Sequence, residues 1–79
     1  MKKFITELRG KTVMTTDGII LGTIDNLVIE TETGNVQHLL VVPSDDFQNR
    51  GFDTDSQGRL ILPFKNMKSA KDVVVLELK

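Results

Sequence analysis

Short runs of apolar and β-branched residues, each ended by a turn signal, constrain this chain more than any other feature of its sequence. The runs span 11–16, 19–30, 36–42, 59–62 and 73–78, and Asp17-Gly18, Thr33-Gly34, Pro43 and Pro63 separate them. Turn signals at this spacing are typical of an all-β domain in which hairpins connect neighbouring strands. The sequence therefore predicts a small, strongly curved antiparallel sheet or β-barrel.

Two further features refine this predicted fold. Gly22 lies within the long second run, and a glycine inside a strand commonly marks a bulge or the bend of a barrel corner. Residues 65–71 precede the last strand and predict one short helical turn, on which Lys65, Lys68 and Lys71 share a face. Because the chain has no internal repeat and no linker, we expect residues 1–79 to form one domain.

The third predicted strand, 36–42, is apolar on both of its faces. Its even-numbered residues can supply a core face, yet Leu39 and Val41 on the opposite face are apolar as well. A strand that is apolar on both faces is covered on both sides. We therefore expect either a second subunit or the loop 44–58 to cover Leu39 and Val41.

The loop 44–58 carries two aromatic residues among acidic and turn-forming residues. Phe47 and Phe52 can anchor a partner protein, because aromatic side chains are common in binding hot spots. They can equally cap the end of the barrel core or form the lid over the third strand. Together with Leu39 and Val41, they are the candidate protein interface.

The size of the chain favours self-association. A chain of 79 residues buries only about 60% of the surface that its unfolded form exposes. Cysteine is absent and histidine occurs once, which excludes disulfides and most structural zinc sites. We therefore predict a homodimer in which the third strand contributes to the contact.

The net charge of −1, from ten basic and eleven acidic residues, gives no general attraction to nucleic acid. Residues 25–55 nevertheless hold seven acidic residues and one basic residue, against four acidic and nine basic residues elsewhere. Either these two segments lie side by side and their charges cancel, or the acidic segment forms a surface that binds a basic partner. The lysines of 65–71 suggest a basic patch for RNA, but the chain has no tyrosine or tryptophan for base stacking, so solvated lysines are favoured.

The longest apolar runs have four residues, whereas a membrane-spanning helix needs about 20. The first residues also lack the apolar stretch of a signal peptide. We therefore expect no membrane insertion, and the absence of cysteine favours a cytoplasmic location.

Two sequence features resemble chemical sites. The segment 53–58 has the oxygen spacing of an EF-hand loop, but Phe64 occupies the position where calcium requires a bidentate glutamate, so a polar hairpin loop is favoured. A general base needs a nucleophile or substrate proton within reach, whereas His38 shares a strand face with Val36 and Leu40, so a structural role is favoured for it. We expect no enzyme activity, no catalytic residue, no metal and no cofactor.

The turns and strand ends also form a pattern that covers nearly the whole chain. It reads Leu8-x-Gly10-Lys11-x-Val13, Asp17-Gly18-x-x-Leu21-Gly22-x-Ile24, Thr33-Gly34-x-Val36, Leu62-Pro63-Phe64 and Asp72-Val73-Val74-Val75. In this order the pattern resembles the PRC-barrel family. These positions shape turns, bends and strand ends, and none of them performs chemistry.

The resemblance implies a PRC-type β-barrel with a non-catalytic role. The family includes a domain of the photosynthetic reaction-centre H subunit, a domain of a ribosome-maturation factor, and short stand-alone proteins common in archaea. The chain looks most like the stand-alone, archaeal-type members, some of which act in cell division through SepF-type partners. The resemblance thus implies a protein-binding adaptor or scaffold, or alternatively an RNA- or ribosome-associated maturation factor.

Overall fold

A single β-sheet dominates the structure. The computed structural model describes residues 7–45, 47 and 51–78. Along the chain lie β1 (Thr12–Thr15), β2 (Ile20–Ile29), β3 (Val36–Pro43), β4 (Leu60–Pro63), the 3-10 turn Phe64–Asn66, β5 (Met67–Ala70) and β6 (Val73–Leu76). The six strands form one sheet in the order β4-β3-β2-β1-β6-β5. The structure therefore confirms the all-β fold with one short helical turn.

One strand pairing departs from the expected antiparallel sheet. Within the described residues, four of the five pairings are antiparallel, whereas β1 and β6 are parallel. Turn signals specify the direction of strands that follow one another along the chain. Because β1 and β6 are the first and last strands, no local turn specifies their direction, and only the tertiary structure decides it.

The β1–β2 connection is wider than the two-residue turn that Asp17-Gly18 indicates. Thr15 N–H donates to Ile19 O at 2.9 Å, and Gly18 N–H donates to Thr15 O at 2.9 Å. Gly18 has a φ of 89°, while no non-glycine residue in the described chain has a positive φ. The loop is therefore a three-residue connection that ends in a left-handed glycine.

The helical turn occupies Phe64–Asn66, and the prediction that it extends over 65–71 is wrong. Met67–Ala70 instead pair with β6 as an edge strand, which satisfies backbone groups of β6 that a helical turn would leave without partners. Lys65, Lys68 and Lys71 therefore lie on a turn, a strand and a loop, and do not share a helical face. In the described residues, no helix is long and apolar enough to cross a bilayer.

The two edge strands, β4 and β5, are joined by only three residues, 64–66. The four Cα–Cα steps from Pro63 to Met67 span at most about 15 Å. The edges of a flat six-stranded sheet would lie about 24 Å apart. The short connection therefore requires the sheet to curl until the adjoining ends of its edge strands approach each other.

The inner side of the curled sheet encloses the core. Its buried hydrophobic members are Leu8, Val13, Leu21, Ile24, Leu27, Leu39, Val41, Leu60, Leu62, Val74 and Leu76. Leu39 lies directly opposite Leu62 in the sheet, and Val41 lies directly opposite Leu60. Because residues directly opposite each other share a face, β3 and β4 contribute these side chains to one continuous layer.

The two faces of β3 are the reverse of those predicted. Leu39 and Val41 are 0% exposed within one subunit, so the prediction that they meet a second subunit is wrong. Val42, assigned to the core face, is 47% exposed, and of the even-numbered residues Val36 packs against the core. Both faces are apolar with the same period of two, so the sequence pattern could not show which one points inward.

Phe47 and Phe52 pack against this core. Their ring centroids lie 5.9 Å apart with the ring planes tilted by 39°, and both side chains are half-buried. Tilted aromatic pairs at this separation attract each other and cover apolar surface. The contact with the core supports the interpretation in which these two side chains cap it.

Candidate functional site

The outer face of the sheet exposes large apolar side chains. Those exposed among the described residues are Ile19 (54%), Ile20 (53%), Val42 (47%), Ile29 (38%) and Val28 (37%). All of them lie on β2 and β3 or directly beside β2. Exposed apolar side chains indicate an interaction site when they are contiguous. Their arrangement across the strands therefore decides whether this face is a candidate interaction site.

One group of outer-face side chains lies in two rows along β2, between β6 and β3. Ile20 lies directly opposite Met14, and Met14 lies directly opposite Val75. Farther along β2, Thr23 lies directly opposite Val42. Opposite side chains on one face have Cβ atoms about 5 Å apart. We name Met14, Ile20, Thr23, Val42 and Val75 the Ile20 patch.

A second group lies farther along β2. Val28 is opposite His38, and His38 is opposite Pro63. In the neighbouring row, Leu40 is opposite Ile61. We name Val28, His38, Leu40, Ile61 and Pro63 the Val28 patch. His38 is half-buried in a row of apolar side chains, which supports the structural role favoured for it.

An ion-pair cluster lies between the two patches. Arg59 Nη1 lies 2.6 Å from Asp25 Oδ2, and Arg59 Nε lies 2.7 Å from Asp55 Oδ2. Asp25 belongs to β2 and Arg59 immediately precedes β4, so the ion pair reaches across the intervening β3. Two carboxylates of the acidic segment 25–55 thus pair with one residue of the basic remainder, which supports the interpretation that the two segments are neighbours.

The contacts of this cluster shift two pKa values. Desolvation acts to raise the pKa of Asp55, but hydrogen bonds from Arg59 and Gln57 and the charge of Arg59 outweigh it and lower that pKa below its ordinary value. Hydrogen bonds to Asp25 and Asp55 raise the pKa of Arg59 above its ordinary value. Asp55 and Arg59 are therefore both charged at neutral pH.

A shallow groove borders the Ile20 patch. Its lining residues are Arg9, Gly10, Thr23, Ile24, Asp25 and Val42. Arg9 Nε donates to the backbone oxygen of Asp25 at 3.1 Å, which anchors the guanidinium at one end of the patch. Because Arg59 pairs with both Asp25 and Asp55, the ion-pair cluster has a net charge of −1, and the positive charge of Arg9 lies beside it.

The segment 53–58 forms a polar hairpin loop, as the sequence indicates. Asp55 N–H donates to Arg59 O at 2.9 Å, and Ile61 N–H donates to Asp53 O at 2.9 Å. The Asp55 carboxylate accepts the backbone N–H groups of Gln57 at 3.0 Å and Arg59 at 2.8 Å. Its oxygens are therefore engaged within the chain, and no group of three metal-ligating side chains occurs in the part that the structure describes.

The lysines of 65–71 are exposed and two of them make local contacts. Lys68 Nζ lies 3.1 Å from Glu77 Oε1, and the Lys11 ammonium donates to the backbone oxygen of Lys71. These contacts are typical of a solvated surface, which is the interpretation favoured from the sequence.

The candidate interface drawn from the sequence does not coincide with the exposed apolar surface. Leu39 and Val41 belong to the core, and Phe47 and Phe52 pack against it. Sequence reasoning missed Ile20 and Val42. The adjacent residues Ile19 and Ile20 carried a usable signal, because consecutive residues of an extended chain point to opposite faces and one of them has to face outward.

Comparison with known proteins agrees with the pattern of turns and strand ends. The family model described as PRC-barrel domain matches residues 1–79, the whole chain. No curated protein matches the chain. The curled six-stranded sheet is consistent with this family, whose small β-barrel modules often mediate protein interactions. The chain therefore belongs to the PRC-barrel family.

Proposed function

We propose that this chain is a non-catalytic protein-binding module that acts as an adaptor or scaffold. The observation that carries the proposal is the Val28 patch, in which Val28, His38 and Pro63 align across β2, β3 and β4, beside the apolar pair Leu40 and Ile61. Covering an apolar surface of this kind removes it from water and lowers the free energy of the complex. Membership of a family whose modules often mediate protein interactions supports the same conclusion.

The charges beside the Val28 patch define the chemistry of the proposed partner. The β2–β3 hairpin continues from Ile29 and carries Glu30 and Glu32. The ion pairs found among the described residues involve neither carboxylate. Complementary charges orient partners and speed their encounter, so we expect a partner with aliphatic side chains at its centre and basic residues at its rim.

A SepF-type protein is the first partner to test. The stand-alone proteins that the chain resembles include members that act in archaeal cell division through such partners. A cytoplasmic location, expected from the sequence, belongs to the same proposal.

Affinity capture from the native lysate, followed by titration of each purified captured protein and of the SepF-type protein, tests this function. Val28→Lys places a charge in the patch and is expected to weaken binding about tenfold, since burying a valine is worth about 1.5 kcal/mol. Gln37→Lys is the matched control, because Gln37 is exposed on β3 outside the patch, and it should bind like the parent chain.

Two outcomes would count against the proposal. Partner binding that survives Val28→Lys unchanged contradicts the Val28 patch as the binding surface. Capture of RNA or ribosomal particles, with no protein that binds the purified chain directly, would favour the maturation-factor alternative.

A further inference from the structure

We propose that protonation of His38 regulates partner binding at the Val28 patch, so that the chain binds its partner at neutral pH and releases it in mild acid. The inference rests on the proposed function, because it concerns the same surface. The observation that carries it is the position of His38 in the patch, directly opposite Val28 on one side and Pro63 on the other. A partner bound there covers an ionisable ring.

The imidazole ring of His38 has apolar neighbours on each strand beside it. Side chains directly opposite each other on one face have Cβ atoms about 5 Å apart, so Val28 of β2 and Pro63 of β4 lie next to the ring. Leu40 follows on the same face of β3. The ring is half-buried, and it forms no ion pair or hydrogen bond with another described residue. Its nitrogens therefore depend on water for hydrogen bonds in the free chain.

The elements packed around this ring carry few charged groups. β4 has none, the 3-10 turn that packs against β3 has Lys65, and β2 has Asp25, which pairs with Arg59 between the two patches. The β2–β3 hairpin adds Glu30 and Glu32, and the Glu30 carboxylate accepts the backbone N–H of Glu32 at 3.0 Å. Carboxylates and ammonium groups ordinarily keep their charge between pH 5.5 and 7.5, so these groups give the patch a constant background.

His38 is the one histidine of the chain, and cysteine is absent. Histidine is the side chain whose charge ordinarily changes between pH 5 and 8. We therefore expect His38 to be the side chain of this protein whose charge responds to pH in that range. That response falls inside the surface proposed to bind the partner.

Covering the patch takes the ring out of water. Apolar surroundings disfavour the charged form of an imidazole, and the basic rim expected of the partner repels that form as well. The partner therefore binds the neutral ring more tightly than the charged ring, and binding to the charged form requires the loss of a proton. By this linkage, lowering the pH opposes binding.

Titration of the captured partner protein into the purified chain at pH 7.5 and pH 5.5, at equal ionic strength, tests this regulation. The dissociation constant of the parent chain should rise about tenfold at the lower pH. His38→Phe keeps a ring in the patch but cannot gain a proton, so the ratio of its two dissociation constants should be close to one. Comparing ratios removes any titration of the partner itself, because the partner is the same in both experiments.

Circular dichroism at both pH values checks that the chain stays folded. The lowered pKa of Asp55 favours this, because its ion pair with Arg59 persists at pH 5.5. A parent chain with equal dissociation constants at the two pH values overturns the proposal. A rise that persists undiminished in His38→Phe overturns it as well.

Nuclear magnetic resonance follows the ring directly. Because the chain has one histidine, isotope labelling of this chain alone gives one set of imidazole signals in the presence of an unlabelled partner. With the partner in excess, these signals should titrate at lower pH than in the free chain. A ring that titrates at the same pH in both states contradicts the proposal.

The failure of this inference and the failure of the proposed function can be told apart. A parent chain that binds no protein at either pH contradicts both. Binding that is equally tight at the two pH values but is lost in Val28→Lys supports the proposed function and overturns the regulation by His38 alone.

Discussion

At the scale of single residues, Gly22 links the backbone of β2 to the surface that β2 presents. A Cβ atom at Gly22 would lie 2.0 Å from the backbone oxygen of Val42. The β1–β2 register passes from Val13–Gly22 to Met14–Ile20, so the chain accommodates Leu21 as an extra residue. This bulge, expected from the sequence, leaves Leu21 buried and Ile20 exposed, so the close approach at Gly22 helps to create the Ile20 patch.

Gly22→Ala is expected to lower the free energy of unfolding by about 3 kcal/mol, because the new methyl group overlaps backbone atoms of β3 that pairing with β2 holds in place. Gly34→Ala is the control: Gly34 has a φ of 77° and nothing near its missing Cβ, so its cost should be only about 1 kcal/mol. Urea denaturation of both variants measures the difference. Equal losses would show that β3 moves aside for the methyl group.

At the scale of elements, β3 serves the core with one face and the outer surface with the other. It pairs with β2 over nearly its whole length and with β4 from His38 to Val41. Its buried side chains anchor the sheet, and its outward side chains contribute to both patches. Replacing adjacent residues of β3 should therefore lower the free energy of unfolding by very different amounts.

Leu39→Ala is expected to cost about 2–5 kcal/mol of stability, since it removes a fully buried leucine and leaves a cavity. Leu40→Ala, on the half-buried outer face, should cost less than half as much. Thermal or chemical denaturation of the two variants provides the comparison. Similar losses for Leu39→Ala and Leu40→Ala would contradict the assignment of the two faces.

Replacing both Leu39 and Val41 by lysine should unfold the chain and not yield a folded monomer.

At the scale of the whole molecule, charge is nearly balanced and locally compensated. The net charge is −1, and Arg59 and Lys68 are paired with carboxylates. This charge gives no general attraction to the phosphate backbone of RNA. Among the described residues, the large apolar side chains that are exposed lie on β2 and β3 or directly beside β2.

RNA binding is accordingly expected to be weak and without sequence preference. Fluorescence anisotropy with a labelled single-stranded RNA at physiological salt should show no saturable binding below micromolar concentrations, and residual binding should fall as salt is raised. A known single-strand-binding protein provides the positive control. Sub-micromolar affinity would contradict this expectation and support the maturation-factor alternative.

The sequence by itself determined the features that depend on neighbours along the chain. Asp17-Gly18 and Thr33-Gly34 marked the first two hairpins, Pro43 and Pro63 marked the ends of β3 and β4, and Gly22 marked the bulge. Each of these follows from backbone geometry within a few residues. The all-β class and the family resemblance were predictable for the same reason, because both consist of such local signals in a fixed order.

Only the tertiary structure decided the features that depend on distant strands. Leu39 shares the buried face with Leu62, β1 runs parallel to β6, and Met67–Ala70 extend because β6 offers them backbone partners. The candidate interface was misplaced for the same reason, since exposure depends on which face of β3 meets the core. A period of two shows that faces alternate, but it does not show which face points inward, and contacts between residues far apart in the sequence settle that choice.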